Sequence, residues 1–371
     1  MRFVSTVAVL ATVCSVMGSA APLDLGGIGD PLAIFIQGGA TQIVSTLFGS
    51  QTDKASSNTQ QSSTHVQSNT KQPSTISSSS SSSSAQAPPA PQPSSVASQS
   101  SGGIPDGQGN NFKTPAGAVR FPWNYGNSDN VVPITPSDDN GGWAMSPNQK
   151  CMPNSWCPYA CASGYYSAQW DPSAALYNGQ GSMNGGLYAD GSGKLSKPFP
   201  DRPFCVQGMM NAFIKNTLGQ SVSACQTVYP GNEAMIIPTV AQAGGTAPLN
   251  VVPKTYWLGT SSQFYVNKAG SSGDQCIWGT ENQPVGNWGP YIFGGGQGKD
   301  GNTYVSVQYN PLYVSNGYST AEVFNVKIEC GQGNCNFPAG GECKCEKGRC
   351  SVDNGCTVTL PQGATANFVL Y

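Results

Sequence analysis

Histidine is almost missing. The only one in 371 residues is His65, set among Ser, Thr and Gln. Any folded domain downstream therefore has none, which excludes Ser-His-Asp triads, Cys-His proteases and histidine metal sites. Charge is scarce too, at 10% of residues, against an average of about 25%. The surface must be built from hydroxyls, amides and glycine. The formal net charge of −2 leaves no basic footprint, so neither nucleic acid nor an anionic membrane is the expected partner. No Asn-x-Ser/Thr sequon occurs, so any attached sugar would sit on Ser or Thr. The run Gly294-Gly295-Gly296-Gln297-Gly298 lacks the Gly-Lys-Ser/Thr ending and following helix of a phosphate loop. No internal repeat at a fixed period suggests a solenoid or propeller. Nothing calls for a cofactor.

The N-terminus is informative. Met1-Arg2 leads into a mostly apolar run over residues 3–17, then Gly18-Ser19-Ala20-Ala21-Pro22. One positive charge, a short apolar stretch and small residues describe a secretory signal peptide, residues 1–20. The run is shorter than the roughly 20 residues of a membrane span, and the C-terminal Phe368-Val369-Leu370-Tyr371 is too short for a lipid-anchor signal. Cys14 leaves with the signal, so an even twelve of the thirteen cysteines remain. In an oxidising compartment their default is disulfides, with the pairing left open. The Cys343-x-Cys345 and Cys350 cluster falls under the same expectation, so no metal is expected.

Composition then divides the chain. Residues 21–50 form a short, mildly apolar segment without an assigned role. Residues 51–103 are mostly Ser, Thr, Gln and Pro, including an unbroken serine run over 77–84. Such a stretch buries too little apolar area to offset its conformational entropy, and is expected to be a disordered stalk, O-glycosylated or left as a plain spacer. Residues 104–371 hold all seven tryptophans and all fifteen tyrosines. Alternating segments dominate there: Tyr304-Val305-Ser306-Val307-Gln308-Tyr309, Val323-Phe324-Asn325-Val326-Lys327-Ile328, Cys356-Thr357-Val358-Thr359-Leu360, Phe264-Tyr265-Val266 and the C-terminal four residues. They read as half-buried strands separated by glycine turns. Residues 206–217 are the one helix candidate, equally readable as a strand pair. The expected fold is all-β, a disulfide-rich β-sandwich.

Several stretches carry a resemblance. They are Cys151-x5-Cys157-x3-Cys161 with Gly164-Tyr165 and Gln169-Trp170, then Cys225-Gln226-Thr227-Val228-Tyr229-Pro230-Gly231-Asn232-Glu233 running to Ile237-Pro238-Thr239. Tyr265-Val266-Asn267-Lys268-Ala269-Gly270, Cys276-Ile277-Trp278-Gly279-Thr280, Gly286-Asn287-Trp288 and Thr303-Tyr304-Val305-Ser306 with Asn310-Pro311 follow in order. From about Cys151 to the end the chain resembles the fungal SUN family of secreted cell-wall proteins. That resemblance implies a glycoside hydrolase acting on β-1,3-glucan in wall remodelling and septation, and carries no catalytic assignment. Two departures stand out: Gly185-Gly186-Leu187-Tyr188 runs into Ala189 where the family has a cysteine, and residues 331–350 look like an added cysteine-rich insertion. A weaker resemblance, in the Tyr265 strand, the Cys276-Ile277-Trp278 step and Gly298-Lys299-Asp300 before a strand, is to the thaumatin-like β-sandwich.

Without histidine, acid–base work falls to carboxylates, and glycoside hydrolysis needs two. Glu233 and Glu281 lie inside the longest matched motifs and are the candidate catalytic pair. Trp278 beside Glu281 could exclude water and raise a carboxyl pKa. Trp278, Trp288 and Asp300 are the candidate substrate-binding residues, the tryptophans by stacking on sugar faces. The plainer alternatives are turn carboxylates that accept backbone hydrogen bonds, and core packing for most of Trp156, Trp170, Trp257, Trp278 and Trp288. Asp201 beside Arg202 reads as half of an ion pair. Three functions stay open: a monomeric glucan-active enzyme, a non-catalytic glucan-binding or structural wall protein, and a secreted inhibitor or interaction protein.

Overall fold

The computed structural model describes residues 35–37, 40–42 and the chain from 103 onward, apart from 107–111, 135–139, 146–148, 176–183, 228–229 and 231–236. The expected signal peptide, most of residues 21–50, residues 51–102 of the expected stalk and Glu233 lie outside the described residues. Near the N-terminus, β1 (Phe35–Gln37) and β2 (Ala40–Gln42) pair as an antiparallel hairpin.

From residue 104 to 207 the chain builds small sheets around an aromatic core. β3 (Val131–Val132) pairs with β5 (Ala160–Cys161), β4 (Ser155–Cys157) with β7 (Leu187–Ala189), which pairs with β8 (Leu195–Ser196), and β6 (Tyr165–Ser167) with β9 (Cys205–Gln207). Trp123, Trp143, Phe121, Tyr159 and Phe204 are buried between them. Each ring with a polar edge has a partner, as burial demands. Trp143 Nε1 donates to the Val119 carbonyl at 2.9 Å, Trp123 Nε1 to Asp129 at 2.9 Å, and the Tyr159 hydroxyl to the Phe204 carbonyl at 2.6 Å. Disulfides Cys151–Cys157 and Cys161–Cys205 staple this core. Gly186 is required where β4 and β7 approach: its φ is +85°, and a Cβ there would lie 2.0 Å from the Cys157 carbonyl oxygen.

The rest is a sandwich. Its strands are β10 (Ala212–Asn216), β11 (Val222–Thr227), β12 (Ile237–Ala241), β13 (Thr246–Pro248), β14 (Ser262–Val266), β17 (Tyr291–Gln297) and β18 (Thr303–Tyr309). β19 (Val326–Gln332), β20 (Lys344–Glu346), β21 (Arg349–Cys350), β22 (Cys356–Leu360) and β23 (Thr365–Leu370) complete it. The first sheet runs β13-β10-β23-β19-β20-β21, and the second β12-β11-β14-β17-β18-β22. All neighbours are antiparallel except β10 and β23. Strict alternation makes this possible: Ile214, Phe264, Val266, Phe293, Val305, Val358 and Phe368 point inward and are buried. Phe293 and Phe368 stack across the two sheets at 4.4 Å. The fold is the all-β, disulfide-rich sandwich expected.

Three details differ from the sequence reading or resolve it. Residues 206–217 hold two strands, the end of β9 and then β10, each paired with other strands, because Ala212 and Ile214 alternate with half-buried or exposed neighbours. The strand expected from 323 starts at Val326, since the Phe324 carbonyl is taken by the Tyr291 hydroxyl. The 331–350 insertion is part of the sandwich. β20 and β21 extend the first sheet, and Cys343–Cys356 ties it to β22 of the second. With Cys225–Cys276, Cys330–Cys335 and Cys345–Cys350, all twelve remaining cysteines are paired.

Candidate functional site

The long link from β14 to β17 and the segment that follows β18 converge at one end of the second sheet. Asn267 follows β14 and is buried. Its amide nitrogen donates to Ser223 Oγ at 2.9 Å and to the Gln275 carbonyl at 3.2 Å, while its oxygen accepts from Gly286 N at 2.8 Å. Buried Asn287 accepts from Gly279 N at 2.9 Å, and buried Asn310 donates to the Asn287 and Gly289 carbonyls, both at 2.8 Å. Asn310 also caps the short helix α1 (Pro311–Ser315) through Leu312 N. Three asparagines of the matched motifs thus hold the hairpin of β15 (Trp278–Thr280) and β16 (Gln283–Gly286) in place.

Trp278 and Glu281 sit on that hairpin. Trp278 is half-buried and packs with Tyr265 against the Cys225–Cys276 disulfide on the outer face of the second sheet. Half-buried Trp288 follows the hairpin and crowds Gly279, where a Cβ would meet Trp288 Cβ at 3.1 Å. Glu281 is exposed at the tip, and its main-chain carbonyl accepts from the Tyr318 hydroxyl. Asp300 lies elsewhere, in the turn between β17 and β18. The hairpin 278–286 meets the Tyr291–Tyr309 end of that pair, and Asp300 the Gln297–Thr303 end. Seven-residue strands separate the two ends by about 20 Å. Trp278, Glu281 and Trp288 are brought together; Asp300 is not among them.

Asp300 accepts from the Tyr304 hydroxyl at 2.7 Å, Asn302 Nδ2 at 2.7 Å and Asn302 N at 3.1 Å. The Tyr304 hydrogen bond, with those from Asn302, holds its carboxyl below the usual range. Asp190 is lowered likewise, chiefly by Ser192. At Asp171 partial burial pushes up, but hydrogen bonds from Ser173 and Asn184 outweigh it and the carboxyl is lowered. These three cap turns as anions rather than hold a proton for a leaving group.

The remaining tryptophans pack. Trp156 lies 5.3 Å from the Tyr188 ring, Trp170 sits between Phe199 and Tyr256 under the Arg202 guanidinium, and Trp257 Nε1 donates to the Ala174 carbonyl. On the first sheet an open groove of about 380 Å³ is lined by Lys327, Glu329, Phe337, Glu342 and Lys344. Its carboxylates are committed to lysines, Glu329 to Lys327 at 2.6 Å and Glu342 to Lys344 at 3.1 Å, which raises both ammonium groups. Sequence reading did not single out this groove or the asparagine hub. The hub depends on contacts such as Asn267 with Ser223, 44 residues away, and the groove on the pairing of β19 with β20. Among the described residues, no cluster of His, Cys, Asp and Glu is placed to hold a metal ion, and no helix is long and apolar enough to cross a membrane.

Residues 120–358, spanning the aromatic core and nearly all of the sandwich, match the family model described as "Beta-glucosidase (SUN family)". The chain is 39% identical over 265 residues to the probable secreted beta-glucosidase adg3 of Schizosaccharomyces pombe, covering 68% of this chain and 23% of that protein. It is 38% identical over 286 residues to the probable secreted beta-glucosidase UTH1 of Saccharomyces cerevisiae, covering 74% of this chain and 72% of that one. The secreted beta-glucosidase SIM1 of Candida albicans is 39% identical over 247 residues, with 62% of each chain covered. Among solved structures, the protein elicitor MoHrip2 of Magnaporthe oryzae overlays with a TM-score of 0.27 at 14% identity, over 43% of this chain and 98% of that one. The chain thus spans less than a quarter of adg3 and under three quarters of the other two. This chain belongs to the SUN family, and is a secreted protein as these relatives are named to be.

Proposed function

We propose that this protein acts on β-1,3-glucan of the fungal cell wall, binding it and hydrolysing or remodelling it during wall biogenesis and septation. The observation that carries the reading is the match over residues 120–358 to a family described as beta-glucosidases, with relatives named for the same activity. Its neutral, amide- and hydroxyl-rich surface suits a polyol substrate better than a charged one. In this reading the protein is monomeric, and a signal peptide and an O-glycosylated stalk precede the catalytic unit.

Glu233 and Glu281 are proposed as the acid and the nucleophile or base, with Trp278 and Trp288 stacking on sugar rings and Asp300 contributing to binding. The pair would have to approach to about 5–5.5 Å for a retaining mechanism or about 6.5–9.5 Å for an inverting one. The test is incubation of the purified protein with laminarin, following reducing ends and product lengths. Glu233→Gln and Glu281→Gln are each expected to lower turnover by about 10²–10⁴-fold while glucan binding survives. Full activity in both variants rejects the pair. A second reading, non-catalytic glucan binding, is favoured by the downward shifts at Asp171, Asp190 and Asp300 and by the exposure of Glu281 at a hairpin tip. Laminarin left uncut but bound selects it. A secreted inhibitor would do neither.

A further inference from the structure

We propose that the outer face of the second sheet is a binding strip for a linear, uncharged polysaccharide chain. The proposal rests on the glucan reading above and gives it a surface. Strand register places Thr357, Ser306, Gly294, Gln263 and Thr227 in one row across five adjacent strands, each residue paired with the next. Their inward neighbours Val358, Val305, Val307, Phe293 and Phe264 are buried in the core, so this row belongs to the outer face, where Thr357, Ser306 and Gly294 are partly exposed and Gln263 is 8% exposed. At about 4.8 Å per strand the row is about 19 Å long.

Its chemistry is uniform. Every member is a hydroxyl, an amide or a glycine, which are the groups that exchange hydrogen bonds with sugar hydroxyls without demanding a counter-charge. Thr227 Oγ1, at one end, is buried without a hydrogen-bond partner. Gly294 lies at the centre, and the Ser306 hydroxyl leans over it, within 2.6 Å of where a Cβ would sit. Rings flank the row on both sides: Tyr304, two positions before Ser306, and Tyr265, two positions after Gln263, with Trp278 packed beside Tyr265. An apolar ring edge beside a line of hydroxyls matches the apolar faces and polar rims of sugar rings.

The two outer faces of the sandwich differ in charge. That of the first sheet carries Lys215, Lys327, Glu329, Lys344 and Glu346, several of them ion-paired. The row itself carries no ionisable acid or base, and the carboxylate beside it, Asp300 on the flanking Tyr304, is held by Tyr304 and Asn302. A neutral glycan loses no ion hydration on binding there.

The test uses the secreted full chain and its sedimentation with insoluble curdlan, a β-1,3-glucan, and with a neutral mannan. Ser306→Arg and Thr357→Arg each put a bulky charge onto the strip from outward positions on two different strands. Lys215→Gln, on the opposite face, is the control. The expected result is curdlan binding about tenfold weaker in both arginine variants, the loss of one or two hydrogen bonds, with thermal unfolding and Lys215→Gln unchanged. Should Ser306→Arg fail to fold, Thr357→Arg on β22 carries the same test. Undiminished curdlan binding in the folded variants overturns the strip and leaves the glucan reading standing. Binding to mannan but not curdlan, abolished by the same variants, supports the strip and overturns the glucan reading. Wild-type protein that sediments with neither overturns both.

Discussion

Asn267 shows how much one side chain can organise. It is 1% exposed and bonds to groups as far apart in sequence as Ser223 and Gly286. Replacing it by Leu or Ala strands several buried donors and acceptors at once, so Asn267→Ala is expected to cost about 2–4 kcal/mol in urea unfolding. A loss below about 0.5 kcal/mol, the range of ordinary surface changes, would show that the hub is dispensable. Asp300 makes a different case. Its folded pKa lies below the unfolded value because Tyr304 and Asn302 donate to the anion. It therefore contributes stability above about pH 4 that is lost as pH falls through the lowered folded value. Asp300→Asn is expected to lower the midpoint modestly at pH 7 and to narrow the gap to wild type below pH 3, read from thermal melts across that range. An unchanged gap at both pH values would mean the turn holds without the charge. The motifs around Asn267, Asn287 and Asn310 are legible as a family pattern. Their convergence is not, since the contacts of Asn267 with Ser223 and Gly286 and of Asn310 with Asn287 join residues 19 to 44 apart.

Strands were the most legible elements. β18 and β22 follow period two without interruption, and the residues expected inward are buried. The ambiguous stretch was 206–217, where Met209, Met210 and Ala212 suit either period and only pairing of β10 with β13 and β23 decides. The cysteines announced disulfides by their even number, yet their pairing needed the fold. Cys225–Cys276 closes 51 residues, and Cys330–Cys335 closes 5. By loop entropy the first is worth about 4 kcal/mol and the second about 2 kcal/mol. Cys225→Ala/Cys276→Ala is thus expected to be the more destabilising pair in denaturant unfolding. It should also loosen Trp278 and weaken curdlan sedimentation, while Cys330→Ala/Cys335→Ala leaves sedimentation intact. Equal loss of binding in both would detach Trp278 from glucan recognition.

At the scale of the molecule, stability should come from the two hydrophobic cores alone. The first is gathered from Phe112 to Cys205, with Ile104 packed against it, and the second from Ala212 to Leu370. They are joined by Ser163 Oγ donating to the Pro248 carbonyl at 2.6 Å, the Tyr166 and Tyr256 rings in contact at 5.1 Å, and Ile237 packing with Ile134, Ala144 and Ala160. Residues 51–103 offer almost nothing of the same kind, being mostly Ser, Thr, Gln and Pro. The denaturant slope of unfolding scales with the surface that folding buries. A chain lacking residues 51–103 is therefore expected to keep both the slope and the midpoint of the full secreted chain. Retaining Ile104 at the junction matters, because cutting into it removes a contact of the first core. Glucan sedimentation should also persist, since the strip and its flanking rings lie wholly within the sandwich. A shallower slope or a biphasic transition in the shortened chain would mean that the serine-rich region contributes to the folded unit.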